Sequence, residues 1–131
     1  MTIHVRYISQ IIVKMKFEDS FDSKMEEELE RFLKEQIDNA KKPLFYLIDV
    51  TAYDPKEAEI VANEIASALH KKGKIIQKIA FVFTKKKKIK HKEMKDQVQV
   101  FDSEWEAQSW ISDQSRFGFL DEITLDSLAD R

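Results

Sequence analysis

The sequence has no cysteine, two prolines and only two glycines, Gly73 and Gly118. Without cysteine there is no disulfide, no thiolate nucleophile and no sulfur-ligated metal site, and a reducing, cytoplasmic setting is expected. Two isolated glycines supply neither a Gly-rich phosphate cradle nor a nucleophile elbow, which argues against nucleotide-binding enzymes of the usual kinds and against serine hydrolases. No apolar run approaches the roughly 20 residues that span a bilayer. The opening stretch "MTIHVRYISQ" also lacks the charged head and apolar segment of a signal peptide. Histidine is scarce too: His4, His70 and His91 lie far apart, in no paired ligand spacing, so neither a metal nor another cofactor is expected.

What remains is the composition of an ordered globular chain. Apolar residues make up 43% and charged residues 35%, enough apolar content to exclude a linker or a disordered segment. A chain of 131 residues is the size of one domain. The net charge of -2 hides an uneven distribution, because "KKKKIKHK" at 85–92 collects six lysines while the segment near 22–40 and the C-terminal tail are acidic.

The apolar periodicity gives the elements. "IHVRYIS" sets Ile3, Val5 and Tyr7 against His4 and Arg6, and "IIVKMKF" sets Ile11, Val13, Met15 and Phe17 against Lys14 and Lys16. Period two in both predicts half-buried strands, and the short separation at Ser9 and Gln10 predicts an antiparallel hairpin. Next, Met25, Leu29, Phe32, Leu33 and Ile37 recur at helical spacing, with Ser23 and Glu26 at the separation of a capping box, so a helix is predicted from about residue 23. "LFYLIDV" at 44–50 is almost unbroken in its apolar character, the pattern of a central strand covered on both faces. After Asp54 and Pro55, the residues Ala58, Val61, Ala62, Ile65, Ala66 and Leu69 form one stripe of a second helix that ends by Gly73. A further apolar strand is predicted around 78–84, then the lysine run, a short strand "VQVF", and a helix from about Ser103 to Ser112. In the tail, Phe117, Leu120, Ile123 and Leu128 could line one face of another short helix. Strand, helix, strand in this order implies right-handed parallel crossovers. The expected fold is therefore a single α/β domain: a mixed sheet of about five strands with covering helices over residues 1–112, followed by an amphipathic tail at 113–131.

This order of elements, with "LFYLIDV" leading into the second helix and "VQVFDSEWEAQSWI" near the end, resembles the SpoIIAA-like or STAS-like proteins, in the branch described as STAS/SEC14-like. The resemblance spans roughly residues 3–112. In the anti-sigma-factor antagonists of that family, the turn after the central strand carries an Asp-Ser-Ser-Gly-like motif whose serine is phosphorylated. Here that turn reads "DVTAYDPKEAE", where Asp54 keeps the acidic position and Pro55 and Lys56 stand where serines would be. The resemblance therefore implies a protein-interaction or regulatory module without the phosphoacceptor serine, and not an enzyme. Its SEC14-like side implies an alternative, a carrier of a small apolar ligand or lipid, for which the aromatics Phe45, Tyr46, Phe81 and Phe83 are the motive. A packed core explains the same aromatics.

Strand carboxyl ends are where α/β folds place ligands, which makes Asp49, Thr51 and Tyr53 candidates. With Asp54, Lys56 and Glu57 at the start of the second helix they outline a candidate surface for a protein partner or a second copy of the chain. Asp54 also has a purely structural use, as the helix N-cap before Pro55. The lysines Lys85, Lys86, Lys87, Lys88, Lys90 and Lys92 form a basic patch. It has no interleaved aromatic for base stacking and no arginine for bidentate readout, so a solvated loop is the expectation and nucleic acid is not the expected partner. Trp105 and Trp110, five residues apart, cannot share one helix face fully.

Overall fold

The structure, a computed structural model, describes residues 3–85 and 97–118. Five strands form one sheet in the order β1-β2-β3-β4-β5: β1 (Ile3–Tyr7), β2 (Ile12–Phe17), β3 (Leu44–Asp49), β4 (Ile76–Val82) and β5 (Val98–Phe101). β1 and β2 are antiparallel, and every later pairing is parallel. The hairpin, the central place of "LFYLID" and the parallel crossovers are all as the sequence predicts.

Strand order that advances in one direction puts successive right-handed crossovers on the same side of the sheet. Accordingly α1 (Ser23–Asn39) and α2 (Pro55–His70) share one face, and α3 (Glu104–Asp113) lies on the other. The first face holds the larger core, in which Val13, Met15 and Phe17 of β2 meet Met25, Leu29 and Leu33 of α1 and Val61, Ile65 and Leu69 of α2. The second holds a smaller one, in which Ile12, Phe45, Leu47, Ala80 and Val82 pack on Ala107 and Ile111 of α3. β3 is buried at all six positions because it is clothed on both sides, which is why its sequence shows no alternation.

Several local expectations are corrected. The N-cap of α1 is Asp22, whose carboxylate accepts from the Met25 N–H at 3.0 Å, so Ser23 is the first helical residue and no Ser23–Glu26 capping box forms. Aspartate one residue earlier offers the same acceptor, with a negative charge suited to the helix dipole. β4 begins at Ile76, directly after a single 3-10 turn at Gly73–Ile75, earlier than the apolar run suggests. Gly73 has φ +75, a left-handed conformation that a residue with a Cβ resists. Ile11 precedes β2 rather than continuing the face of Val13, Met15 and Phe17; it packs toward the α3 side. Tyr7, expected on the buried face of β1, is 57% exposed, because β1 is the outer strand of the sheet.

Candidate functional site

The N-terminal ends of α1 and α2 meet above the carboxyl ends of β2 and β3, the rim where this class of sheet receives ligands. Two aspartates start the helices, Asp22 for α1 and Asp54 for α2, the latter accepting from the Glu57 N–H at 2.9 Å. Pro55 stands at the first helical position, where its missing N–H costs nothing. Asp54 is therefore engaged as the cap that its position predicts.

Of the three candidates below it, Asp49 and Tyr53 are buried and Thr51 is exposed. Asp49 is 6% exposed, and its Oδ1 accepts from both the backbone N–H of Thr51, at 2.9 Å, and the Thr51 hydroxyl, at 2.6 Å. This is an Asx turn that closes the end of β3. The Thr51 carbonyl accepts in turn from the Thr84 hydroxyl at 3.2 Å, joining the loop after β3 to the end of β4. Tyr53 is 6% exposed, and its hydroxyl donates to the Asp19 carbonyl, tying the β3–α2 loop to the β2–α1 loop. Burial, followed by the charges of Glu57 and Asp19, pushes the Tyr53 phenol up to about 12 from 10.0. Asp49, Thr51 and Tyr53 thus lock the rim, while Lys56 and Glu57 are exposed on it.

What the locked loops hold open is a surface groove of about 560 Å³ between the first turns of α1 and α2. Phe21, Ile60 and Val61 supply its apolar lining, and Asp22, Glu26, Glu57 and Glu64 supply carboxylates. Phe21 is oriented by an edge contact with Phe17, their ring centroids 6.0 Å apart. Ile60 is 59% exposed, one of the few large apolar side chains that face water among the described residues. Of the residues singled out from sequence, Glu57 lines this groove; Phe21, Asp22, Glu26, Ile60 and Glu64 were not singled out as site residues. A signal did exist: Ile60 falls off the apolar stripe of α2, flanked at three and four residues by Glu57 and Glu64 on the same helix face.

A second groove of about 380 Å³ lies between the C-terminal half of α1 and the end of β1, lined by Tyr7, Phe32, Gln36 and Asn39 among others. The Gln36 amide links two tyrosines, donating through Nε2 to the Tyr7 hydroxyl at 2.7 Å and accepting through Oε1 from the Tyr46 hydroxyl at 2.8 Å. Burial drives the Tyr46 phenol strongly upward.

The basic patch enters this description only at Lys85, exposed just past β4; Lys86, Lys87, Lys88, Lys90 and Lys92 lie outside the described residues, as does the predicted tail helix beyond Gly118. Phe45, Tyr46, Phe81 and Phe83 are side chains of the two cores. Among the described residues there is no cluster of three or more metal-ligating side chains, and no helix is long and apolar enough to cross a membrane.

The chain matches no protein-family model and no curated protein. Among solved structures it is similar to an uncharacterised protein of the DUF3478 family from Shewanella loihica PV-4, described as having a SpoIIAA-like fold. The TM-score is 0.51 at 17% sequence identity, covering 84% of this chain and 92% of that one. The fold is SpoIIAA-like. That agrees with the element order from which the resemblance was read.

Proposed function

We propose that this SpoIIAA-like domain is a non-enzymatic protein-interaction module, and that its binding surface is the acidic, apolar-floored groove between the starts of α1 and α2. The observation that carries this reading is the exposed Ile60 set among Glu57, Glu64, Glu26 and Asp22 beside Phe21. An apolar anchor ringed by like charges is the anatomy of an interface centre with a polar rim. The chemistry it suits is a protein segment in which lysine or arginine flanks one apolar side chain. Carboxylates on the rim steer and select such a partner more than they add raw affinity, while the apolar centre provides retention. The surface contains the α2 start that the sequence points to, with Glu57 common to both.

The test uses a peptide of that chemistry, with the sequence of residues 85–92, lysine-rich with a central isoleucine. Titrated into the isotopically labelled chain, it is expected to shift the amide signals of Ser23, Glu57 and Ile60. The paired substitutions Glu57→Lys and Glu64→Lys should weaken binding about tenfold or more. Shifts spread over unrelated surfaces, or affinity unchanged in that variant, would overturn the reading.

A further inference from the structure

β1 is the sheet's outer strand, and among the described residues no strand pairs with its far side. The Ile8 N–H donates to the Ile12 carbonyl at 2.9 Å. In this antiparallel register the hydrogen-bonded pairs are therefore His4–Lys16 and Arg6–Lys14, which leaves the N–H and C=O groups of Ile3, Val5 and Tyr7 pointing away from β2. Such an edge is a template for another strand. Its two faces differ. Ile3 and Val5 pack partly against the larger core, and the Tyr7 hydroxyl accepts from Gln36 of α1, so these three side chains lie on the α1 side. His4, Arg6, Lys14 and Lys16 form a cationic ladder on the α3 side, since directly opposed residues share a face. Glu18 offsets two of them, at 3.2 Å from His4 and 3.5 Å from Lys16, and Glu104 pairs with Lys14; Arg6 has no ion pair among the described residues.

This edge is complementary to itself. "IHVRY" runs apolar, basic, apolar, basic, aromatic, a pattern that reads alike in both directions about Val5. We propose that β1 pairs with β1 of a second copy of this chain, antiparallel about a two-fold axis at Val5, so that one sheet runs through both molecules. Val5 then faces the partner's Val5, and Ile3 faces the partner's Tyr7. In this register every outward N–H and C=O of Ile3, Val5 and Tyr7 gains a hydrogen-bond partner. An axis at His4 or at Arg6 would leave Tyr7 or Ile3, respectively, without a partner inside β1.

Side chains favour the same register. On the α1 side, the exposed ring of Tyr7 lies against the partner's Ile3, an aromatic and β-branched cross-strand pair. On the α3 side, Arg6 stands opposite the partner's His4, the residue that contacts Glu18. The Arg6 guanidinium thereby reaches the partner's Glu18 carboxylate, and the two-fold axis makes this contact twice. An isologous contact closes at two copies and leaves no free edge on β1 for a third. It shares no residue with the α1–α2 groove, so it goes beyond the function proposed for that groove and does not depend on it.

The experiment combines sedimentation with amide hydrogen exchange on the full chain. The contact is small, so dimers that dissociate in the micromolar to millimolar range are expected. The Val5 and Tyr7 amides should exchange about tenfold or more slowly in concentrated than in dilute solution, with Arg6, bonded to β2, as an unchanged internal control. Val5→Pro removes an outward donor while sparing the β2 pairing, and should weaken dimerisation about tenfold or more. The register has its own readout, because the chain has no cysteine. On oxidation Val5→Cys should join two chains, since residues opposed in a hydrogen-bonded pair have Cα atoms about 5.5 Å apart, within the reach of a disulfide. Tyr7→Cys should not, because the two copies of that residue lie about 14 Å apart along the strands. A chain still monomeric at about 1 mM, dimerisation unaffected by Val5→Pro, cross-linking as ready through Tyr7→Cys as through Val5→Cys, or protection unchanged by dilution, the mark of another segment of the same molecule on this edge, would each overturn the proposal.

Discussion

Tyr53 shows how far a side chain's role depends on what surrounds it. From sequence it is a hydroxyl at a strand end and thus a candidate ligand contact; in the fold it is a buried staple between two loops, its hydroxyl donating to the Asp19 carbonyl. Its phenol is held neutral to higher pH in the folded chain than in the unfolded one, at about 12 against 10.0. A raised folded-state value means that the unfolded chain gives up the proton first, so the stabilisation is complete below pH 10.0 and is lost as pH climbs through about 12. Denaturant unfolding across that window should show a falling midpoint, with Tyr46 acting in the same direction. Tyr53→Phe should lower stability by about 1 kcal/mol at neutral pH by removing the hydrogen bond. The same substitution should make the decline between pH 10 and 12 shallower, and an equally steep decline in the variant would contradict this account. Asp54, by contrast, has the role its sequence position implies, because a cap is a local matter of one carboxylate and the N–H groups within three residues of it.

Among the elements, the contrast between α1 and α3 is instructive. α1 buries Met25, Leu29 and Leu33 completely against the larger core, and α3 buries only Ala107 and Ile111. Leu29→Ala should therefore cost about 2–5 kcal/mol, the range for truncating a fully enclosed leucine, read as a lower urea midpoint at unchanged slope. Trp105→Ala should leave that midpoint within about 0.5 kcal/mol, because Trp105 is 76% exposed. Trp110, tilted on Phe101 at a centroid distance of 5.7 Å, is the tryptophan that packs. The helices and strands were legible in the sequence because each has the period of its own geometry, 3.6 or two. Their ends were less so. Choosing Asp22 rather than Ser23 as a cap depends on a backbone angle at one residue, and adjacent polar residues offer nearly equivalent acceptors.

For the whole molecule, a net charge of -2 conceals an acidic groove at one rim and a cationic ladder on the edge hairpin. Binding of the lysine-rich peptide to the groove should therefore weaken as salt rises from about 0.05 to 0.5 M, since exposed charges are screened over distances near 10 Å at 0.1 M. Affinity independent of salt would leave only the apolar contact of Ile60 and Phe21 and would remove the carboxylates from the account. The SpoIIAA-like arrangement makes the groove possible, because advancing strand order brings α1 and α2 side by side with both N-termini at the same rim.

The sequence by itself determined the α/β class, the order of strands and helices, the buried centre of the sheet and the cap of α2, all of which follow from periodicity and contacts a few residues apart. Only the tertiary structure decided that Asp49 and Thr51 close on each other, that Tyr53 reaches 34 residues back to Asp19, and that Phe21 and Ile60 face one groove. The physical reason is that side-chain periodicity records which face of an element avoids water, whereas a site is made by the distance between elements far apart in the chain, and no local pattern encodes that distance.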